Sequence, residues 1–566
     1  MNSNAGQRRW WQGAVLYQVY VRSWRDTNGD GYGDLGGIIA GLDYLSWLGV
    51  DGLWLSPTMP SPDDDWGYDV CDYLGVHPEL GTIDDMDRLI AEAGQRGLRV
   101  LLDLVPNHTS SAHPWFVDAL SGRGAAHRDF YVWADPRPGG EPPNNWLDAT
   151  GASAWAWHEP TGQYYLHNFL PSQPDLNWWQ PAVHEAFAQT LRFWLDRGVA
   201  GFRIDVAHGL YKDAQLRDNP PATAAGPLAG GFGQQPVYNA NRPQTHAVYR
   251  DWRRIAAGYP DERLLLGETW TGDLDQLASF YGHDDELQLA FNFPFVFAAL
   301  TAPELSGIVA QTLARLPAGA CPVWMASNHD VGRFASRWCG GDERKIRLAL
   351  LVLATLPGAT VLYNGDEIGM TDVDVPLELQ RDAMSRGASE RWQGNDGWQG
   401  SRDRARTPMP WDATPTAGFT AEHVTPWLPL DDHAAVNVAG QRDDPGSVLH
   451  FCRDLIRLRR AELGGRIASY RALPAPRGLW AYQVGRLTVL GNFSDHRVTC
   501  PDPGGTVLLS TADPAPPAGE ITLAAWQGVI IRSASLQSQH SERFHSDWPR
   551  DGTPPRYTRE PPGEAE

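Results

Sequence analysis

The sequence predicts an α/β protein: a TIM-type (β/α)8 barrel, a subdomain inserted after its third strand, and a C-terminal antiparallel β-sandwich. Three observations predict it. Eight short β-branched or apolar runs recur between residues 14 and 365. Longer amphipathic stretches separate them, and strands alternating with helices require a parallel sheet that eight repeats can close. After about residue 465 the pattern changes to short alternating strands such as LWAYQVGRLTVLGNF (479–493).

The eight strands are expected at 14–21, 52–57, 98–105, 200–207, 263–269, 287–293, 322–328 and 359–365. Between them, 83–97 places Met86, Leu89, Ile90 and Ala93 on one helical stripe. Residues 181–198 begin with Pro181 and end with Gly198, the ordinary punctuation of a helix. A helix near 446–463 would complete the barrel. The most apolar run, 348–363, is short for a bilayer and broken by Pro357-Gly358, so it reads as helix, turn and strand. Two intervals are too long for simple connections. Residues 107–175 are expected to form an inserted subdomain, and 370–430 an extra segment after the eighth strand. The barrel is thus assigned to 1–106 and 176–464, the sandwich to 465–535, and a disordered polar, Pro-rich tail to 536–566.

Bulk composition narrows the function. Apolar residues are 42% and charged residues 20% of the 566, a globular balance. A net charge of −21 opposes binding to phosphate backbones or anionic lipid, so neither nucleic acid nor membrane is an expected partner. The five cysteines are odd in number and scattered, and MNSNAGQRRWWQG at the start lacks the apolar centre of a signal peptide. A reducing, cytoplasmic setting is expected. The 25 tryptophans exceed ordinary usage, and aromatic faces stack on sugar rings.

Three carboxylates stand at the ends of three of these strands: Asp205 in GFRIDVAHG (201–209), Glu268 in LLLGETW (264–270) and Asp330 in ASNHD (326–330). A parallel barrel gathers strand ends at one mouth. Two carboxylates flanking a sugar bond are the working parts of a glycosidase. Arg203 lies two residues before Asp205, hence on the same face of the strand, where its charge would favour an ionised carboxylate. Glu268 follows three leucines, and partial burial would raise its pKa. Each motif alone also reads structurally, as a strand-end salt bridge or a helix cap.

Taken together and in order, these motifs resemble the α-amylase family of glycoside hydrolases (family 13), in its α-glucosidase and oligo-1,6-glucosidase branch, from about residue 10 to 535. The resemblance implies a retaining hydrolase with Asp205 as nucleophile, Glu268 as acid/base and Asp330 as a third carboxylate that holds sugar hydroxyls. It implies hydroxyl binding by His108 of DLVPNHTS (103–110) and by His329, with Arg203 beside the nucleophile and Tyr68 as an aromatic platform. SRDRARTPMPWD (401–412) resembles the S-R-D-x-x-R-T-P-M-Q-W stretch of exo-acting members, with Pro410 in place of the glutamine. There an arginine, here Arg402 with Arg406 as the competing assignment, pairs with an aspartate, here Asp65, to seal the non-reducing end. The expected substrate is a small α-glucoside: maltose and short α-1,4 oligosaccharides, with α-1,6 cleavage or transglycosylation and sugar isomerisation as alternatives. A non-catalytic, transporter-associated relative would lack the acids, and a phospho-sugar hydrolase would need a Lys/Arg cluster at the pocket. The sequence does not choose between a monomer and a homo-oligomer.

A second candidate site is DTNGDGYGDL (26–35). Oxygen side chains fall at loop positions 1, 3, 5 and 9 (Asp26, Asn28, Asp30 and Asp34), with Gly31 at position 6 and the Tyr32 carbonyl at 7. This is the spacing of a hard-cation loop, without the position-12 glutamate of an EF-hand. The resemblance implies structural Ca²⁺, with Mg²⁺ the alternative ion, and no organic cofactor.

Overall fold

The computed structural model describes residues 9–222, 228, 231–388, 401–430, 433–464, 467–512 and 520–533. The tail expected at 536–566 lies outside them. The barrel strands are β1 (Val15–Val19), β2 (Gly52–Leu55) and β3 (Arg99–Leu104). Residues 107–175 contribute β4 (Trp133–Ala134), β5 (Trp155–His158) and β6 (Gln163–Leu166), an antiparallel sheet in the order β4-β6-β5. The barrel resumes with β7 (Gly201–Ile204), β8 (Leu264–Gly267), β9 (Leu289–Ala290), β10 (Val323–Trp324) and β11 (Ala359–Tyr363). Its order is β10-β11-β1-β2-β3-β7-β8-β9, with every pairing parallel. All eight expected barrel strands are present. β9 and β10 are shorter than their apolar runs, and among the described residues no ladder joins them, so the barrel is nearly rather than fully closed.

Strand parity sorts the side chains into two layers. Leu16, Leu101, Leu264, Leu266 and Val361 pack inside the barrel with Trp54 and Phe291. Their neighbours Val15, Leu102, Phe202, Ile204 and Leu265 face the helices. Both faces are therefore buried, which is why these strands read as continuous apolar runs. The helices Ile83–Gln95 and Pro181–Asp196 form where their periodicity predicts. The first starts with a reciprocal cap between Thr82 and Asp85. The run 348–363 resolves into helix Glu343–Thr355, a turn and β11.

The C-terminal strands are β12 (Tyr470–Leu473), β13 (Leu479–Val484), β14 (Leu487–Asn492), β15 (Val498–Pro501), β16 (Thr506–Ser510), β17 (Glu520–Leu523) and β18 (Gly528–Arg532). They form a five-stranded sheet, β12-β13-β14-β18-β16, and a pair, β15-β17. Leu479, Leu490, Val529 and Ile531 of the larger sheet pack on Val498, Ile521 and Leu523 of the smaller.

Arg459, on helix Val448–Leu463, ties the barrel's last turn together. Its guanidinium is buried and donates to the carbonyls of Gly13 (3.1 Å), Ala354 and Leu356 (2.8 Å each), and to Gly358. Burial pulls its pKa down to about 10. Arg459→Met keeps the volume but leaves these buried acceptors without donors. It should destabilise the protein by roughly 3 kcal/mol, at about 1 kcal/mol or more per orphaned group, read as a lower urea-unfolding midpoint.

Candidate active site

Parity and register build the site floor. Asp103 and Arg203 are direct partners in the β3–β7 ladder, and both point inward like Leu101. The ladder continues one step beyond the strands: Asp205 N–H donates to Leu104 O (2.8 Å) and Glu268 N–H to Ile204 O (2.9 Å). Asp205 and Glu268 therefore emerge side by side at the mouth. Arg203 is fully buried. Its Nη1 lies 2.9 Å from Asp103 Oδ1 and 2.6 Å from Asp205 Oδ1, while Nη2 lies 2.7 Å from Glu268 Oε1. Trp54 Nε1 and Tyr68 Oη each donate to Asp103 Oδ2 at 3.0 Å. Glu268 Oε2 accepts the Val206 N–H at 3.0 Å, and Val206 takes a left-handed φ of 44° to present it. That conformation is strained for a β-branched residue.

A second cluster meets the first. Arg402 Nη2 reaches Asp65 Oδ1 and Asp382 Oδ1, both at 2.6 Å, and its Nη1 reaches Asp330 Oδ1 at 3.1 Å. Arg406 instead donates to Asp330 Oδ1 and to the His329 carbonyl, at 2.9 Å each. So Arg402, not Arg406, is the arginine paired with Asp65. The His329 ring stacks flat on Tyr68, 5.2 Å between centroids and 3° between planes. Gln18 Nε2 lies 2.7 Å from His329 Nδ1, and His329 Nε2 lies 3.0 Å from Asp330 Oδ2.

These groups surround a cavity of about 320 Å³. Asp65, Tyr68, His108, Asp205, Glu268, Asp330 and Arg402 line it. Arg203 and His329 sit behind that wall, against the residues that form it. Sequence reasoning missed three contributors. Asp382 lies in an irregular stretch with no periodic or motif signal. Gln173, which donates to Asp65 Oδ2 at 3.1 Å, lies in the inserted subdomain with no motif signal of its own. The connection from β7 to helix Thr245–Ala257 supplies His208, Asn219, Phe232, Asn239 and Asn241 to the wall. Its length was the available signal, because it is a third interval too long for a simple turn.

Burial sets the protonation of the cluster. It pushes the Asp205 carboxyl well above the usual carboxylate range; Arg203 opposes this, while Glu268 and Asp103 reinforce it. Asp103 is raised to about 6, again by burial against the pull of Arg203. The expectation that Arg203 dominates at Asp205 is therefore corrected, because one guanidinium serves three buried carboxylates. Asp330 behaves oppositely. Burial pushes it up, but His329, Arg402, Arg406 and Arg203 together hold it well below its ordinary value. Burial lowers the pKa values of both His108 and His329.

The family model for the α-amylase catalytic domain matches residues 18–464, and a model for a domain of unknown function (DUF3459) matches 465–530. The chain belongs to the α-amylase family. It is an α-glucosidase-like glycoside hydrolase of that family. It is 40% identical to a probable alpha-glucosidase of Rhizobium meliloti over 80% of this chain and 83% of that one. It is 36% identical to an oligo-1,6-glucosidase of Heyndrickxia coagulans over 87% of this chain and 94% of that one. The solved structure of the alpha-glucosyl transfer enzyme XgtA superposes with a TM-score of 0.86 at 36% identity, covering 93% of this chain and all of that chain. The trehalulose synthase MutB of Pseudomonas mesoacidophila gives 0.84 at 32%, with 93% and 100% covered.

In the loop 26–34, Asp26 accepts the N–H groups of Asn28, Gly29 and Gly31, and Asp34 accepts those of Thr27, Asn28 and Gly37. Asp30 accepts the Tyr32 N–H. The left-handed Gly29 and Gly31 let the loop turn tightly. The donor chemistry, three carboxylates with an amide oxygen and a carbonyl, fits a hard cation. Among the described residues, the acidic and histidine side chains that approach within 4.8 Å as a trio are instead Asp63, His77 and Glu79. Arg22 pairs with two of them, Asp63 at 2.6 Å and Glu79 at 3.0 Å, so that corner is already neutralised. No described helix is long and apolar enough to cross a membrane.

Asp382 provides a test of the Arg402 cluster. Burial pushes its carboxyl up, but Arg402 more than reverses this and holds it well below the usual value. A depressed folded pKa contributes stability that is complete above the unfolded value, near 4, and is lost as pH falls through the folded one. Asp382→Asn should cost about 3 kcal/mol at pH 7. Its deficit against the parent should shrink steadily below pH 4, measured by urea unfolding across pH.

Proposed function

We propose that the enzyme is an exo-acting, retaining α-glucosidase that releases glucose from the non-reducing end of maltose and short α-glucosides. One observation carries the reading. Asp205 and Glu268 share the Arg203 guanidinium in the wall of a cavity that the Asp65–Arg402 pair also lines. In a retaining mechanism one carboxylate attacks the anomeric carbon and the other protonates the leaving oxygen. Asp205 is the nucleophile and Glu268 the acid/base. The shared burial of the cluster supports retention of a proton there for the first step, and that proton belongs to the coupled set rather than to one residue. Asp330 is held ionised by its arginines, ready to accept sugar hydroxyls. Tyr68 lies under the ring, His108 contributes a hydroxyl contact, and Arg203 and His329 orient the groups in front of them. The Asp65–Arg402 pair ends the pocket after one glucose.

A phospho-sugar substrate is disfavoured. Arg402 is the cationic side chain among the described wall residues, and three carboxylates already hold it. Transglycosylation on the same intermediate is the second reading, favoured by the likeness to a structure described as a glucosyl transfer enzyme. For the loop 26–34 we propose structural Ca²⁺ held by Asp26, Asn28, Asp30, Asp34 and the Tyr32 carbonyl. Chelation with EDTA should lower the thermal midpoint, and added Ca²⁺ should restore it.

Asp205→Asn should lower kcat on maltose by roughly 10⁴-fold or more. Glu268→Gln should lose about 10²–10⁴-fold on maltose but far less on α-glucosyl fluoride, whose leaving group needs no proton. Glucose release from maltose, maltotriose, isomaltose, sucrose, trehalose and starch sets the linkage. Rapid mid-chain cleavage of starch would overturn the sealed pocket.

A further inference from the structure

Glu268 is held by two donors that stand on separate supports. Arg203 Nη2 meets Oε1 from the barrel floor at 2.7 Å, and the Val206 N–H meets Oε2 at 3.0 Å. Asp103 and Asp205 also fix Arg203. The Val206 N–H is aimed by the turn that follows β7, and that turn is strained, with φ at 44° on a β-branched residue. Such a conformation persists only where its surroundings over-determine it.

Hydrogen bonds bracket Val206 on both sides. The Asp205 N–H donates to Leu104 O and the Gly209 N–H to Val206 O, each at 2.8 Å. The Ala207 N–H donates to the Glu268 carbonyl at 2.9 Å. The Ala207 carbonyl in turn accepts the Tyr249 hydroxyl, which arrives from helix Thr245–Ala257. Tyr249 has no exposed surface, and its ring packs on Trp252 and Phe280 with centroids 5.8 and 6.1 Å away. Burial, reinforced by the Glu286 charge, pushes this phenol well above its ordinary pKa, so the hydroxyl keeps its proton. A buried hydroxyl needs an acceptor, and the Ala207 carbonyl supplies it. The turn has little slack. A Cβ on Gly209 would stand 2.7 Å from Val206 Cγ1, and one on Gly267 would stand 3.2 Å from Ala207 Cβ, so the turn packs directly on the end of β8.

We propose that Tyr249 is a positioning residue for the acid/base. Its hydroxyl, acting through the Ala207 carbonyl, keeps the Val206 N–H on Glu268 Oε2 and so fixes the carboxyl plane for proton transfer to the leaving oxygen. Two donors on the two oxygens set that plane; with one, the group swings about the other and proton transfer loses its alignment. Val206 and Glu268 line the cavity, whereas Tyr249 stands behind the wall and acts only through the turn. The proposal rests on the assignment of Glu268 above.

The experiment measures kcat/KM for maltose and for α-glucosyl fluoride on one preparation and takes their quotient. This constant reports the steps through formation of the glucosyl-enzyme, and fluoride departs without a proton. The quotient does not depend on the fraction of protein that is folded. Tyr249→Phe keeps the ring and its packing and should lower the quotient about tenfold, short of the full loss expected when the acid is removed. Phe280→Leu alters the packing beside the same ring but keeps the hydroxyl, and should leave the quotient at its parental value. A parental quotient in Tyr249→Phe overturns the proposal, as does an equal fall in Phe280→Leu, which would assign the effect to packing. A crystal structure of Tyr249→Phe should show the Val206 N–H turned away from Glu268 Oε2; an unmoved Val206 overturns the proposal as well. Glu268→Gln separates the two readings. If that variant does not favour the fluoride over maltose, the acid/base assignment falls and takes the proposal with it. If it does, and Tyr249→Phe keeps the parental quotient, the proposal alone falls.

Discussion

The site depends on a single guanidinium. Arg203 has no exposed surface, so its charge must be met inside the protein. Asp103 meets it from the neighbouring strand at the same level, Asp205 from the end of its own strand and Glu268 from the end of the next. Its guanidinium also lies 4.9 Å over the Trp54 ring. These contacts fix where both carboxylates stand before any sugar arrives. The geometry is over-determined: strand parity turns the three residues inward, register sets Asp103 beside Arg203, and the arginine's planar fork then holds the oxygens. Removing one partner would leave the others with uncompensated buried charge.

Charge balance explains why the carboxylates of this floor differ among themselves. Among the described residues, the arginines that pair with Asp65, Asp103, Asp205, Glu268, Asp330 and Asp382 are Arg203, Arg402 and Arg406. Six buried carboxylates cannot all ionise against three guanidiniums at moderate cost, so the shortage appears as raised pKa values. It falls unevenly. Arg402 and Arg406 concentrate on Asp330, Asp382 and Asp65, and two of these are held low. Arg203 is spread over three groups, and Asp205 and Asp103 are driven up. Asp330 and Asp382 are thereby held low, while Asp103 and Asp205 are held high.

What was legible in the sequence was what repeats or what sits at a strand end. The eight barrel strands follow from short apolar runs, and the placement of Asp205, Glu268 and Asp330 at one mouth follows from parallel topology. The pairing of Asp65 with Arg402 across more than three hundred residues came through resemblance, since nothing local links them. Three things were not legible. β9 and β10 stop after two residues because ladder length depends on neighbouring strands, not on the run's own hydrophobicity. Asp382 is set by tertiary contact with Arg402, and its own stretch has no periodicity. The net direction at Asp205 depends on how many carboxylates share one arginine, which a pair of residues two apart cannot reveal.

In the cavity wall, Asn168, Asn219 and Asn239 satisfy one another. The connection from β7 that builds this wall also carries Val206, whose strained backbone binds the Glu268 carboxylate. The segment that supplies much of the cavity wall thus also orients the Glu268 carboxylate. A change in that connection would alter the wall and the set of Glu268 together while the Arg203 floor stays fixed.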